Sequence, residues 1–195
     1  MVHDRSAQSP LIRRALLLDY LVAVRSIDSR VMWMGRDLGY RGGRRTGIAL
    51  TDEFHLPELA ELYQLENVQK VTAGPVIAER TAAEVWSILG GVTSAPMLWN
   101  VFPFHPHAPQ DELSNRKFTS SEFRVAEQIN LDLISILNIE RIVGIGQDAA
   151  TYAAGLGVEV QHVRHPSYGG VVDFRAGMSR IYGLNALPRQ GSLGL

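Results

Sequence analysis

The stretch Val31-Met-Trp-Met-Gly-Arg-Asp-Leu-Gly-Tyr-Arg-Gly-Gly-Arg-Arg-Thr-Gly-Ile-Ala-Leu50 decides how the rest of the chain is read. Its first residues, Val31 to Met34, are bulky and apolar, which reads as a buried strand. From Gly35 to Leu50 five of sixteen residues are glycine, so the backbone can turn tightly and approach a ligand closely. A glycine-rich loop at the end of a strand is where open α/β sheets bind ligands. One acid, Asp37, stands there among Arg36, Arg41, Arg44 and Arg45. The arginines would keep that carboxylate ionised and would collect a polyanion.

Outward from this stretch, helix and strand alternate. Before it, residues 10 to 26 read as an amphipathic helix capped by Ser9, with Pro10 in its first turn. After it, Thr51-Asp-Glu-Phe-His-Leu-Pro57 leads into a short helix, and Ala78 to Leu89 has helical spacing that stops at Gly90-Gly91. Pro96 to Asn100 reads as a second strand, opening into Val101 to Pro109, where Pro103, Pro106 and Pro109 leave a stiff loop. Thr119 and Glu122 form a capping-box signature before an amphipathic helix over Phe123 to Leu137. Ile142 to Ile145 is a third strand, Asp148 to Leu156 a helix and Val158 to Val163 a fourth strand. The loop Arg164 to Gly170 follows, then a helix to about Tyr182.

The expectation is therefore one α/β domain over 1–185, with a mostly parallel central sheet of about four strands and helices on both faces. A loose tail is expected over 186–195. Three of the strands end in polar loops that carry Asp37, Asn100 and His165. Carboxyl ends of parallel strands share one edge of a sheet, so these residues are expected to converge on a single crevice.

Bulk composition narrows the classes. The 195 residues are 46% apolar and 20% charged with a formal net charge of -1, so a nucleic-acid partner would have to be held by a local patch. With no cysteine there is no disulfide, thiolate metal site or iron–sulfur cluster. The run Ala15 to Val24 behind Arg13-Arg14 is interrupted by Asp19 and lacks a small-residue cleavage site, so it reads as a helix and not as a signal peptide. No stretch has the length needed to span a membrane. A cytoplasmic protein without cofactor or metal is expected, and the oligomeric state is left open.

Taken together, the loop 35–50, the strand end Leu98-Trp-Asn100 and His165-Pro-Ser167 resemble the three signature segments of the uracil-DNA glycosylase superfamily, in the family's order along the chain. In the family pattern a glycine opens the loop, and a carboxylate or amide follows two residues on. A second glycine lies ten residues further and a base-stacking aromatic three beyond that; Gly35, Asp37, Gly47 and Leu50 hold those positions here. Leu50 replaces the usual phenylalanine, so stacking on the base falls to Leu50 itself or to Phe54 or Phe102. Gly39 stands where the best-known branch has a methyl-excluding tyrosine. That glycine is similar to the single-strand-selective and mismatch-specific branches, which carry asparagine in place of Asp37. Leu38 replaces a proline, and Tyr168 and Gly169 replace a proline and the wedge leucine.

The resemblance implies a monofunctional enzyme that flips uracil out of DNA, hydrolyses its glycosidic bond and releases free uracil, leaving an abasic site. Asp37 would stabilise the sugar cation and align water, and His165 would donate to the uracil O2. Asn100 would read N3-H and O4, and the backbone amides of Arg36 and Asp37 would add donors. Gly35 and Gly39 would shape the pocket, while Arg41, Arg44, Arg45, Ser167, Tyr168 and Gly169 would contact DNA.

Other readings stay open on the residues alone. Gly144-Ile-Gly146-Gln-Asp-Ala149 resembles a dinucleotide-binding fingerprint, although the next strand ends in Gln161-His162 with no acid for a ribose. His105-Pro-His107 with Asp37 and His165 would suit a metal-dependent hydrolase. A DNA-binding relative without turnover would keep the same fold.

Overall fold

In the computed structural model, residues 4–184 are described, and the tail expected over 186–195 lies outside them. The glycine-rich stretch begins as strand β1 (Val31–Asp37), the second of four strands in a sheet. Strand β2 (Met97–Phe102) flanks it on one side and β3 (Arg141–Ile145) on the other, with β4 (Glu159–Val163) beyond β3. All three pairings are parallel. Each connection is a crossover that lays helices against the sheet, as parallel neighbours require.

The helices are α1 (Ser9–Ser26), the single turn α2 (Gly43–Thr46), α3 (Leu56–Tyr63), α4 (Arg80–Leu89), α5 (Ser120–Ile136), α6 (Gln147–Ala153) and α7 (Val171–Tyr182). Alternation along the strands sorts them onto two faces. Trp33 points towards α7, where its indole N–H donates to the Tyr182 hydroxyl at 2.5 Å. Trp99 points the opposite way, donating to Asn130 Oδ1 of α5 at 2.8 Å, and the Asn130 amide in turn donates to the Val101 carbonyl at 2.9 Å. That buried asparagine uses both its oxygen and its amide nitrogen to fasten α5 to β2. Helix α6 packs on the same face, where a Cβ at Gly144 would stand 2.8 Å from Ala150 Cα. The first glycine of the G-x-G-x-x-A stretch is thus explained by close helix–strand packing.

Two boundaries move in ways that matter for the site. Strand β1 does not stop at Met34: register pairs Gly35 with Asn100 and Asp37 with Phe102, so the ladder continues to the acid. Likewise β2 runs through Phe102, and the proline-rich loop starts at Pro103. Asp37 and Asn100 therefore sit on hydrogen-bonded neighbouring strands, not on a free loop.

At the start of α1, Ser9 is the first helical residue and not its cap. Its hydroxyl donates to the Val71 carbonyl at 2.8 Å, a tertiary bond that outcompetes local capping. The capping box of α5 is present in both directions, Thr119 accepting from Glu122 N and Glu122 from Thr119 N. None of the described helices is long and apolar enough to cross a membrane.

Candidate active site

The carboxyl edge of the sheet opens into a cavity of about 590 Å³. Gly35, Arg36, Asp37, Gly39, Leu50, Asn100, His165, Ser167 and Tyr168, all singled out from the sequence, line it. The three segments far apart in the chain do meet there.

Asp37 closes the last rung of β1 with its side chain only 8% exposed. Burial pushes its carboxyl above the ordinary range, against the pull of the Arg36 guanidinium, whose Nε donates to Asp37 Oδ2 at 2.6 Å. Asn100, 1% exposed, keeps its Oδ1 without a hydrogen-bond partner. An orphaned buried acceptor costs about 1 to 3 kcal/mol unless something else supplies the donor. Gly35 explains how that amide fits, because a Cβ there would overlap Asn100 Oδ1 and crowd Leu50 Cδ2 at 3.0 Å. Leu50 itself is held at φ +55°, a left-handed conformation that is uncommon outside glycine.

His165 sits two residues beyond β4. Its Nδ1 receives the Ser167 amide N–H at 3.1 Å and lies 2.6 Å from the Ser167 hydroxyl. An amide nitrogen only donates, so Nδ1 must be the unprotonated acceptor, which puts the proton of the neutral ring on Nε2. Burial, then the nearby Arg36 and Arg164, lower the imidazole to about 4. Gly146, at φ +93°, lets the α6 N-terminus lie against the ring: a Cβ there would stand 3.1 Å from His165 Cβ. Ser167 is therefore an orienter of His165 and not the cap of α7, a position taken by Gly170.

The structure corrects several sequence assignments. Arg45 is 7% exposed and forms an ion pair with Glu53 at 3.1 Å while donating to Thr72 Oγ1 at 2.8 Å. Thr72 in turn donates to the same Glu53 carboxylate. Arg45 is thus internal and cannot touch DNA. Replacing it with methionine should lower stability by about 3 to 5 kcal/mol, because Glu53 would stay buried without its cation. Urea denaturation measures this; a midpoint within error of the parent would mean that the pair is dispensable.

Arg44 is tied to Glu112 at 3.1 Å, whereas Arg41 is exposed and packs on Tyr40. Neither stacking candidate among the phenylalanines reaches the cavity. Phe102 is buried against Phe104 and Phe118, and Phe54 faces a separate surface hollow with His55 and Trp86. Leu50 is the residue of the three that lines the wall. Tyr168, 98% exposed at φ +52°, stands on the rim beside Gly169, which does not line the cavity.

His105 and His107 stack on each other with ring centroids 5.5 Å apart and do not line the cavity that holds Asp37 and His165, and no group of three or more His, Asp or Glu among the described residues is placed to hold a metal. Asp148, in the first turn of α6, pairs with Lys117 at 2.8 Å and Arg36 at 3.4 Å.

Sequence reasoning missed Glu79, Lys117, Asp148 and Arg164 in the wall. Glu79 lies against the loop glycines, its Oε1 3.4 Å from where a Cβ at Gly39 would be, and burial pushes its carboxyl up. The proximity of Asp148 to a glycine turn was the one local signal.

No protein-family model matches the chain, and neither does any curated protein. Among solved structures, the fold is similar to the crystal structure of wild-type SMUG2 from Pedobacter heparinus, with a TM-score of 0.57 and 13% identity, over 80% of this chain and 74% of that one. Identity this low speaks for a shared course of the backbone.

Proposed function

We propose that this protein is a monofunctional DNA glycosylase that extrudes uracil from DNA and hydrolyses its glycosidic bond, leaving an abasic site. The observation that carries this reading is the meeting of Asp37, Asn100 and His165 in one cavity at the sheet's carboxyl edge, with Nδ1 of His165 taken up by Ser167 so that the neutral ring's proton is on Nε2. The fold likeness to SMUG2 supports it.

The groups match what the reaction needs. As the C1′–N1 bond breaks, its electron pair leaves with uracil and positive charge develops on the sugar. A buried carboxylate at Asp37 stabilises that charge, aligns the incoming water and takes its proton once the water oxygen has bonded to C1′. His165 Nε2–H donates to the uracil O2 as the base becomes anionic, and a neutral ring suffices for that. Asn100 meets N3–H with the acceptor that is otherwise orphaned, and O4 with its amide N–H. Cytosine reverses that donor pattern. Extrusion costs roughly a few kcal/mol, which phosphate contacts around the rim would offset.

The test is direct. Labelled oligonucleotides carrying uracil, paired and unpaired, are incubated with protein and chelator, then treated with alkali to cut abasic positions. Scission at uracil is expected. Intact strands together with retained DNA affinity would instead identify a binding protein without turnover.

Asn100→Asp probes the specificity half of the reading. The carboxylate can accept from the cytosine amino group, so uracil-over-cytosine preference should fall by about 10- to 100-fold. Undiminished preference would show that Asn100 does not read the base.

A further inference from the structure

The cavity's acid is held by its neighbour in sequence. Successive side chains of a strand point to opposite faces, yet Arg36 bends back at the end of β1 to place Nε 2.6 Å from Asp37 Oδ2. The far end of the same guanidinium meets Asp148 at 3.4 Å, a longer and weaker contact, and Asp148 has a shorter one to Lys117 at 2.8 Å. Arg36 thus spans from a sealed carboxylate to the mouth of the cavity, with its own side chain 32% exposed.

Resting on the glycosylase reading, we propose that Arg36 is a positioning residue switched by DNA. A phosphate flanking the extruded nucleotide draws the guanidinium off Asp37 and so releases the carboxylate to face the sugar. A cation 2.6 Å from the acid cancels much of the field that would stabilise a developing positive charge. A phosphodiester offers two oxygens to the planar guanidinium, a better match than the single short bond to Asp37. Lys117 and the exposed Arg164 stand on the same rim to bring the phosphate in, and Asp148 keeps Lys117 as its counter-charge when Arg36 leaves. The remaining charged groups acting on Asp37 are Asp148 and Arg116. The carboxylate then reaches full strength only with a strand in place.

The experiment measures single-turnover uracil release at saturating protein and pH 8.5. The substrates are oligonucleotides whose phosphates flanking uracil are native or replaced by neutral methylphosphonates. The wild-type protein should slow by about 30-fold or more on the neutral linkages, an effect on the rate at saturation and not on affinity alone. Arg36→Gln should lose most of that penalty and, on the neutral-linkage substrate, should outpace the wild type by about threefold or more. Wild-type protein alone supplies a second reading: the acid limb of its rate profile should lie at higher pH with native phosphates than with neutral ones, because Asp37 then lacks its guanidinium. Equal slowing of Arg36→Gln on both substrates, or an unmoved acid limb, overturns the switch while leaving the glycosylase reading intact. Absence of uracil release from the native oligonucleotide by the wild type overturns both.

Discussion

Asp37→Asn is expected to slow uracil release by roughly 10³-fold while leaving DNA affinity within a few-fold of the parent. The amide is isosteric and its oxygen can still accept from Arg36 Nε, so the pocket keeps its shape and loses only the negative charge. On the proposed mechanism, the variant loses the stabilisation of the sugar cation and the proton acceptor for water. Single-turnover release at saturating protein isolates that step from binding. A loss smaller than about tenfold would mean that the carboxylate is a structural ion pair, the commoner fate of an aspartate beside an arginine. Because burial raises the Asp37 carboxyl, the wild-type rate should fall on acidification at a pH above the ordinary aspartate value of 3.8.

His165→Leu is the second large effect, with an expected loss of about 10²- to 10³-fold in the same assay, the usual cost of deleting one donor aimed at a developing anion. Leucine keeps much of the ring's volume against Gly146, so the change removes the Nε2–H without opening a large void. The pH dependence gives a sharper check. An imidazole at about 4 is neutral at every pH well above that value, so the wild-type profile should show no inflection near 6.5.

The same shift has a stability consequence whose sign is fixed. Between pH 6.5 and about 4 the unfolded chain takes up a proton that the folded ring refuses. His165 therefore supports folding fully above 6.5, and that support is lost as pH falls towards 4. A leucine variant with urea midpoints that decline just as steeply across that window would contradict the buried, neutral ring.

Much of the scaffold was legible because its signals are local. Apolar runs bounded by polar turns located all four strands, the Thr119–Glu122 box located a helix start, and parallel topology brought Asp37, Asn100 and His165 to one edge. The failures involve partners that are distant in sequence. Nothing near Arg45 shows that Thr72 and Glu53 enclose it, so four loop arginines looked alike although one is internal. Glu79 precedes α4 and Lys117 follows a proline-rich loop, and only the tertiary course of those segments carries them to the cavity. Phe54 and Phe102 failed as stacking residues for a related reason: an aromatic near a motif has a composition but no direction until the backbone assigns one. Strand β1 runs past Met34 to Asp37, although glycine and charged residues are poor strand formers alone, because β2 supplies a ladder that holds them.

The register that pairs Gly35 with Asn100 also divides the machine by stiffness. On the proposed reading, discrimination rests on a rung in the interior of a hydrogen-bonded ladder, while the imidazole rides on a connection beyond the last strand. Outer connections loosen before central strands do. Warming should therefore cost this protein speed before it costs fidelity, with turnover fading while the choice of base stays true.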